Sequence, residues 1–260
     1  MAKVIRECKV VSTDKLASDV FSLLLDAKDI VSTAVPGQFV SVYSNSADRM
    51  LPRPISICDT DKSAGTLRLV YRVVGAGTKE FSELKQGDTV RVLGPIGNGY
   101  TLEGNSAILF GGGIGIPPMV KLAKALHENG MSRENLHVVL GFRDESFLLD
   151  EFSDIATVHI SSDMGTIGMK GNAVQLAEAE NLVADVIYAC GPKPMLRAVK
   201  NFAEARDIKA YLSLEERMAC GVGACLACVC ESKDVDDHSK VHNKRVCVDG
   251  PVFTADEVVL

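Results

Sequence analysis

The sequence predicts a multi-domain protein that combines a six-stranded antiparallel β-barrel, an α/β domain with a mostly parallel sheet, and a small cysteine-rich C-terminal domain. Three observations support this fold class. Short β-type runs fill residues 1–100, strands alternate with helices over residues 101–213, and cysteines, glycines and charges replace any periodicity over residues 214–260. The 260 residues suffice for one large domain or two to three small ones, since a domain typically takes about 100–200 residues.

The composition is that of a globular protein, and it argues against two functional classes. The 28 Lys and Arg residues against 34 Asp and Glu residues give a net charge of −6 without a run of like charges, so we expect no nucleic-acid partner. No apolar run approaches the roughly 18–20 residues that span a bilayer, so we expect no membrane segment. Residues 1–8 lack the apolar stretch of a signal peptide, which predicts a reducing, cytoplasmic compartment without disulfides.

The first part of the chain contains six runs of β-forming residues separated by turn signals such as Pro36-Gly37, Gly87-Asp88 and Gly94-Pro95. Six short strands at this spacing are typical of a small antiparallel barrel, in which closure removes the exposed sheet edges. The predicted strands cover residues 9–11, 20–25, 38–43, 55–57, 67–74 and 89–93.

From residue 101 onward, predicted strands alternate with predicted helices. The apolar strand 107–110 leads through glycines into a predicted helix over 117–130, with proline near its start and glycine past its end. Such alternation predicts a parallel sheet with helices on its faces. Further strands are predicted over residues 136–140, 158–160, 185–190 and 210–213, and a further helix over 195–206.

The cysteine spacing carries the strongest functional signal. Cys220, Cys225 and Cys228, followed by Cys247, match the plant-type [2Fe–2S] pattern C-x4-C-x2-C…C. Four thiolates are what two sulfide-bridged irons require, and the small residues between the first two cysteines let backbone N–H groups approach the sulfurs. We interpret Cys230 as a neighbour of this site and not as a ligand.

Two other interpretations of these cysteines remain open. Cys225 and Cys228 followed by His238 and His242 resemble a short zinc pattern, but the acidic linker lacks an apolar helix, and zinc would leave the other two spaced cysteines unused. The second alternative is that the cysteines are buried free thiols, the usual state of scattered cysteines. The two-iron cluster is favoured because it uses all four spaced thiols.

Two glycine-containing turns follow predicted parallel strands and precede helices. Because the carboxyl ends of parallel strands lie at one edge of a sheet, these turns are expected to form a nucleotide site there. The first turn departs from the dinucleotide fingerprint, since Ile116 occupies the third glycine position, and taken alone it also suits a turn without a ligand. The residues concerned are Gly111, Gly112, Gly113 and Gly115 in the first turn and Cys190, Gly191 and Pro192 in the second.

In order and spacing, the motifs resemble those of the ferredoxin reductase superfamily over essentially the whole chain. They include Arg53-Pro54-Ile55-Ser56, Gly75-Ala76-Gly77-Thr78, the segment 94–99 and the two glycine turns. With the C-terminal cysteines added, the chain resembles the electron-transfer subunits of B-type dihydroorotate dehydrogenases. This resemblance implies an FAD-binding barrel, an NAD(H)-binding α/β domain and a [2Fe–2S] tail.

The resemblance also implies a partner and a role. The partner would be an FMN-containing dihydroorotate dehydrogenase catalytic subunit of pyrimidine biosynthesis, with two copies of each chain. A flavoprotein subunit of an NADH-dependent ferredoxin-NADP oxidoreductase or sulfhydrogenase-type complex shares these motifs and is the alternative enzyme. A non-enzymatic iron–sulfur or zinc module that senses nucleotide is the alternative from another class.

Roles for individual barrel residues follow from the same resemblance. Arg53 would pair with the FAD pyrophosphate, and Ser56 would lie near flavin N5. Ile55 stands where many relatives carry an aromatic side chain, so stacking on the flavin is not expected from this position. The remaining expected cofactor contacts are Pro54 in the same motif, Val70, Tyr71 and Arg72 on the next strand, and Gly77 and Thr78 at the phosphates.

In the nucleotide domain the resemblance places the first glycine turn at the NADH phosphates and the second beside the nicotinamide. The segment 163–166 matches a loop that flanks the cofactor and has no adjacent Arg or Lys for a 2′-phosphate, which favours NAD over NADP. No residue is expected to act as a catalytic general base, because the chain would position and tune its cofactors.

Overall fold

The computed structural model describes residues 4–235 and 240–260. Its first six strands are β1 (Val4–Lys15), β2 (Val20–Asp26), β3 (Phe39–Tyr43), β4 (Arg53–Asp61), β5 (Thr66–Arg72) and β6 (Thr89–Ile96). They close into an antiparallel barrel in the order β1-β2-β5-β4-β3-β6. Two short helices, α1 (Lys28–Val31) and α2 (Ala76–Ser82), fill connections. The predicted barrel is confirmed, and each predicted strand overlaps an observed one.

The second part of the chain is the predicted α/β unit. Its strands are β7 (Ala107–Gly112), β8 (Leu136–Phe142), β9 (Thr157–Ser162), β10 (Met169–Lys170), β11 (Val186–Cys190) and β12 (Lys209–Ser213). The helices are α3 (Pro117–Glu128), α4 (Ala173–Ala179) and α5 (Lys193–Glu204). The short elements β10 and α4 are absent from the sequence-based assignment. Among the described residues, no helix is long and apolar enough to cross a bilayer.

The cysteine-rich segment contains a two-stranded sheet of β13 (Val229–Glu231) and β14 (Asn243–Arg245), followed by β15 (Val252–Thr254). β15 pairs antiparallel with β12 and completes a seven-stranded sheet in the order β10-β9-β8-β7-β11-β12-β15. All other neighbours in this sheet are parallel. The segment after the cysteines therefore joins the sheet of the α/β unit. The sequence does not predict this pairing.

The two faces of the barrel strands have different environments. Ile55 and Ile57 of β4 pack in the barrel interior, whereas Cys58 of β4 and Val70 of β5 belong to the hydrophobic core of the α/β unit. Phe39 of β3 joins a core that also contains Cys228 and Cys247. Parts of the outer face of strands β3 to β5, at Phe39, Cys58 and Val70, are thus covered by the nucleotide and cysteine segments.

Charged side chains reinforce this contact. Glu151 accepts hydrogen bonds from Arg68 of β5 and from Lys124 of α3, whose Nζ lies 2.9 Å from Glu151 and 2.6 Å from Asp59 of β4. Burial raises the pKa of Glu151, but its bonds to Lys124 and Arg68 outweigh that effect, so its pKa lies below the ordinary value. The network fixes the barrel against α3.

Candidate functional site

The four spaced cysteines come together in two pairs. The thiol of Cys225 donates to the sulfur of Cys220, and the thiol of Cys247 donates to that of Cys228. The charge of Cys220 acts on Cys247, so the pairs are neighbours. Cys228 and Cys247 are buried, whereas Cys225 lies at the surface. Two adjacent pairs of thiols are the arrangement that two irons need, with two protein sulfurs for each iron.

The backbone around the first pair stabilises a thiolate. Burial raises the pKa of Cys220, but N–H groups of Val222, Ala224 and Cys225 point at its sulfur and bring the pKa down to about 6. The Val222 nitrogen lies 3.4 Å from that sulfur. Gly223 has a φ of +88° and no room for a side chain, since a Cβ would overlap with Val248. Glycine at this position therefore allows the tight turn between Cys220 and Cys225.

The neighbours of the site do not complete a zinc centre. Within residues 4–235 and 240–260, no three His, Cys, Asp or Glu side chains form a group able to hold one metal ion. His242 bonds through Nδ1 to the carbonyl of Lys233, at 2.8 Å, and His238 lies outside the described residues. The Cys230 thiol is buried, and its burial and the nearby charge of Glu216 raise its pKa to about 11.

The cysteine loop lies directly against the barrel. A Cβ on Gly221 would meet Ser41 Oγ of β3 at 3.0 Å and Ile96 of β6 at 3.7 Å. Ser41 is buried and pairs with Pro54 of β4, and Phe39, two residues earlier, pairs with Ser56. The cysteine loop is therefore separated by β3 from the strand that carries the Arg53-Pro54-Ile55-Ser56 motif.

The structure brings Arg53 and Gly77 together. A Cβ on Gly77 would overlap with the guanidinium of Arg53, which also donates to the carbonyl of Leu51. Thr78 shapes this turn: its hydroxyl accepts from the N–H groups of Val74 and Gly75, at 3.0 and 3.2 Å, and donates to the Gly75 carbonyl. The Thr78 hydroxyl is thus occupied within its own turn.

Other predicted barrel contacts divide between the two faces of their strands. Val70 and Arg72 project from the outer face of β5, where Arg72 pairs with Asp19 at 3.0 Å. Tyr71 points into the barrel interior, with its ring 6.2 Å from that of Phe81. The Ile55 side chain also lies inside, while Ser56 lies on the outward-facing positions of β4. Tyr71 and Ile55 can therefore contact a ligand outside the barrel through their backbone atoms but not through their side chains.

The two glycine turns meet at the carboxyl edge of the sheet, where Cys190 pairs with Gly111. A Cβ on Gly115 would overlap with the Cys190 carbonyl, and one on Gly191 would meet Gly112. Gly113, with a φ of +52°, has open space around it. Close packing between the turns therefore requires Gly115 and Gly191, and Gly113 leaves room for a ligand.

A cleft of about 580 Å³ opens at this edge. Its walls come from the first glycine turn, the loops after β8 and β9, the start of α5 and the barrel loop before β2. Glu145 bridges two of these walls by accepting the N–H of Ser18 at 2.7 Å. The residues that line the cleft include Ala17, Ser18, Asp19, Arg72, Gly112, Gly113, Arg143, Asp144, Glu145, Asp163, Asn172, Pro192 and Met195.

Sequence reasoning missed the buried polar groups beneath the second turn. Ser213 pairs with Cys190 across β11 and β12, and its hydroxyl bonds to the thiol of Cys190 and to the hydroxyl of Tyr100. Burial, outweighing the Ser213 bond, raises the pKa of Cys190 to about 12, so this thiol stays protonated. The Tyr100 hydroxyl lies 3.1 Å from the carbonyl of Ala189. No local motif marks these residues.

Comparison with known proteins gives the class of protein. Residues 5–100 match the oxidoreductase FAD-binding domain, and residues 215–259 match the iron-sulfur cluster binding domain of dihydroorotate dehydrogenase B. A solved chain of the NADH-dependent reduced ferredoxin-NADP oxidoreductase is 32% identical, with a TM-score of 0.84 over 97% of this chain and 89% of its own. The fold and the site are those of a flavin- and iron–sulfur-containing oxidoreductase.

Two curated relatives narrow the class. The dihydroorotate dehydrogenase B (NAD(+)) electron transfer subunit of Listeria monocytogenes is 45% identical over 98% of both chains. The corresponding subunit of Bacillus caldolyticus is 44% identical over 98% of this chain and 99% of its own. This chain belongs to the family of dihydroorotate dehydrogenase B electron transfer subunits, which confirms the resemblance that the motifs indicated.

The residues present fit the two groups that this family assignment implies. Glycine at position 77 leaves the Arg53 guanidinium free to lie across the turn, where it can meet a pyrophosphate. The cysteine loop supplies four thiols in pairs, and backbone N–H groups already directed at sulfur. An FAD-binding domain and an iron–sulfur-binding domain therefore lie side by side in one chain.

Proposed function

We propose that this chain carries electrons between NAD(H) and an FMN-containing dihydroorotate dehydrogenase catalytic subunit, in a complex with two copies of each chain. The proposed domains are an FAD barrel over residues 1–100, an NAD domain over 101–213 and a cluster domain over 214–260. One observation carries the proposal: the loop that holds two pairs of cysteine thiols lies against β3 and β6 of the barrel, and the same chain has a nucleotide-sized cleft between the barrel and the α/β unit. The curated relatives named above are subunits of this kind.

We propose a [2Fe–2S] cluster held by Cys220, Cys225, Cys228 and Cys247. The pairing supports one iron at Cys220 and Cys225 and the other at Cys228 and Cys247. N–H groups aimed at the Cys220 sulfur would stabilise the negative charge of the ligated state. Cys230 would remain a buried thiol next to the site.

The barrel residues would bind and orient FAD. Arg53 would clamp the pyrophosphate as a charged fork, and the backbone of Gly77 and Thr78 would approach the phosphates. Ser56, on the outward-facing positions of β4, would hold the flavin through its hydroxyl. The same outer face of the barrel would seat the cofactor between Pro54 and Ile55 of β4 and Val70, Tyr71 and Arg72 of β5, with Tyr71 and Ile55 contributing backbone.

A bound flavin supplies the chemistry that this arrangement needs, since it exchanges two electrons with a nicotinamide and one at a time with an iron–sulfur cluster. The chain's own residues position the reactants. Gly111, Gly112, Gly113 and Gly115 would let the NADH phosphates approach the start of α3, and Cys190, Gly191 and Pro192 would border the nicotinamide. The protonated Cys190 thiol, fixed by Ser213, would not act as a base.

The charge of the cleft supports a preference for NADH over NADPH. Its lining includes four carboxylates, from Asp19, Asp144, Glu145 and Asp163, and two guanidinium groups. Both guanidinium groups are already paired, Arg72 with Asp19 at 3.0 Å and Arg143 with Asp144 at 3.2 Å. A basic side chain does lie near the loop after β9, because Lys170 packs against Gly165, but Lys170 does not line the cleft.

We therefore expect flavin reduction by NADH to exceed that by NADPH by at least about tenfold in kcat/KM, because the 2′-phosphate would meet uncompensated carboxylates. Stopped-flow measurement of flavin bleaching with each nucleotide checks this. The double variant Asp163→Asn, Glu145→Gln should lower the ratio of kcat/KM with NADH to kcat/KM with NADPH. Glu178→Gln on α4 is the control. Equal second-order rates for the two nucleotides in the unmodified protein would contradict the prediction.

The proposed function is tested by reconstitution. The chain alone should reduce artificial dyes with NADH and fail to oxidise dihydroorotate, because the proposal assigns the pyrimidine chemistry to the FMN subunit. Adding the FMN subunit should create dihydroorotate-dependent NAD reduction, and light scattering should give two copies of each chain. Dihydroorotate oxidation by the isolated chain, or an FMN subunit that neither binds it nor gains NAD-linked turnover, would favour the ferredoxin-NADP oxidoreductase type of complex instead.

A further inference from the structure

Two histidines and a glutamate form a hydrogen-bonded chain on the face of the sheet that α4 covers. His159 of β9 bonds through Nδ1 to the carboxylate of Glu180, which directly follows α4, and its Nε2 lies 3.1 Å from Nδ1 of His137 on β8. Val139, which pairs with His159, packs with the apolar side chains of α4. The His159 side chain is only 10% exposed, so these contacts lie beneath the end of the helix.

The direction of each hydrogen bond follows from what each group can donate or accept. A carboxylate only accepts, so His159 carries a proton on Nδ1, and its Nε2 is an acceptor when the ring is neutral. His137 must then donate from its own Nδ1. One further proton can bind Nε2 of His137 without breaking either bond, and the charge of Glu180 compensates it.

A second added proton breaks the histidine–histidine bond. It places N–H groups on both facing nitrogens, which lie 3.1 Å apart, and two positively charged donors repel each other at this distance. Burial lowers the pKa of His137, and the charge of His159 lowers it further, against the opposing charge of Glu180. The stability that these bonds confer is therefore present above about pH 6.5 and is lost as the pH falls.

The groups packed around the two rings leave this titration to the chain itself. In the sheet register, His137 lies beside the apolar Ile108 of β7. Arg133, in the turn before β8, donates to a backbone carbonyl at 3.4 Å. The charges that act on His137 are those of His159 and Glu180.

Helix α4 connects these residues to the nucleotide cleft. Asn172 and Ala173, at the start of the helix, line the cleft, and a Cβ on Gly141 of β8 would meet Ala173 at 3.5 Å. Glu180 follows the last residue of the same helix, about 10 Å away at roughly 1.5 Å per residue. A helix of seven residues has few hydrogen bonds of its own, so its position depends on the contacts at both ends.

We propose that His137, His159 and Glu180 form a proton-operated latch, which holds α4 on the sheet at neutral pH and releases it when both rings become imidazolium ions. Release lets the start of α4 move, so one wall of the cleft loses its shape. Acid therefore weakens nucleotide binding. This last step rests on the proposed function, which places NAD(H) in the cleft, whereas the opening of α4 does not.

Hydrogen exchange of the α4 amides in the full chain, at about pH 7.5 and about pH 5.5 and corrected for the intrinsic exchange rate, measures the opening. Titration with NAD⁺, whose charge is the same at both pH values, measures nucleotide binding. The unmodified chain is expected to lose α4 protection in acid and to bind NAD⁺ about fivefold or more weakly there.

His137→Asn separates the titration from the hydrogen bond. The amide nitrogen of asparagine can donate in place of Nδ1, and rotation of the amide presents its oxygen when His159 is protonated. This variant should keep α4 protected and its NAD⁺ affinity within about twofold between the two pH values. His127→Asn is the matched control, because His127 is exposed on α3 and bonds to the carbonyl of Met131 at 3.1 Å. It should retain the full acid response.

Glu180→Ala tests the latch from its other end. The Glu180 side chain is 44% exposed, so the chain should fold without it. Because the last bond of the latch is then missing, α4 should exchange rapidly at both pH values, and NAD⁺ binding should already be weak near neutral pH.

The outcomes separate this inference from the proposed function. Equal α4 protection at both pH values in the unmodified chain, or equal loss in acid in the unmodified chain and in His137→Asn, would overturn the latch. Opening of α4 without weaker NAD⁺ binding would overturn its connection to the cleft. Opening of α4 in a chain that binds NAD⁺ at neither pH would support the latch and show that the proposed nucleotide site is wrong.

Discussion

Cys247→Ala is expected to leave the chain without its iron–sulfur cluster and to abolish dihydroorotate-dependent NAD reduction in the reconstituted complex. Cys247 is 1% exposed and forms one thiol pair with Cys228. Removing it leaves one iron with a single protein sulfur, and the buried position excludes an external thiol. Iron and sulfide analysis and the visible absorption spectrum measure the loss. NADH-dependent dye reduction should persist, since the barrel and the nucleotide cleft are untouched.

Cys230→Ala is the matched control, because Cys230 is close in sequence and equally a buried thiol. Its neighbours are Glu216, Lys193 and the backbone of Lys244, so its removal should retain full iron content. Cys220→Ala, Cys225→Ala and Cys228→Ala should behave like the Cys247 variant. Full iron in Cys247→Ala, or loss of iron in Cys230→Ala, would show that the fourth ligand is wrongly assigned.

Arg53→Ala is expected to produce a chain that purifies without bound FAD. Loss of a hydrogen-bonded charge pair with the pyrophosphate costs about 2–5 kcal/mol, which corresponds to FAD binding weakened by at least about 30-fold. Arg53→Lys should bind FAD only in part, because an ammonium lacks the planar fork that engages two oxygens. Flavin content after gel filtration and titration of the apoprotein with FAD provide the measurement.

A pair of glycine variants tests the same contact from the opposite side. A methyl group at position 77 would overlap with the Arg53 guanidinium, so Gly77→Ala should also weaken FAD binding. Gly75→Ala is the control, because its Cβ meets no atom within 4 Å and its extended backbone accepts any residue. Equal FAD affinity in the two variants would argue against Arg53 as the pyrophosphate clamp.

The sequence predicts the larger elements of this fold because turn residues and hydrophobic period mark them. Turn residues such as Pro36-Gly37, Gly87-Asp88 and Gly94-Pro95 delimit several barrel strands, and apolar residues at helical spacing identify α3. The two-residue strand β10 and the seven-residue helix α4 are too short to show a period. β15 was missed for a different reason: it is stabilised by pairing with β12, a non-local contact that three residues of sequence do not encode.

The site shows the same division between local and non-local information. Spacing alone indicates four cysteines as cluster ligands, and the structure brings these four thiols together in two pairs. The predicted contacts Val70, Tyr71 and Arg72 lie on alternating faces of β5. Successive side chains of a strand point to opposite faces, so Tyr71 points into the barrel. The hydrogen bonds that join Ser213 to Cys190 and Tyr100 depend on which strands become neighbours, and a single sequence does not reveal that.

The return of β15 to the sheet gives the cysteine segment two anchored ends. Leu214 and Pro251 are joined by a backbone hydrogen bond of 2.9 Å, and β12 and β15 pair just outside it. Protein contacts therefore join the two ends of the segment that carries the cysteines. The entropic cost of closing this loop is then incurred when the sheet folds and not when a metal binds. We therefore expect that chelating iron leaves the pairing of β12 with β15 intact.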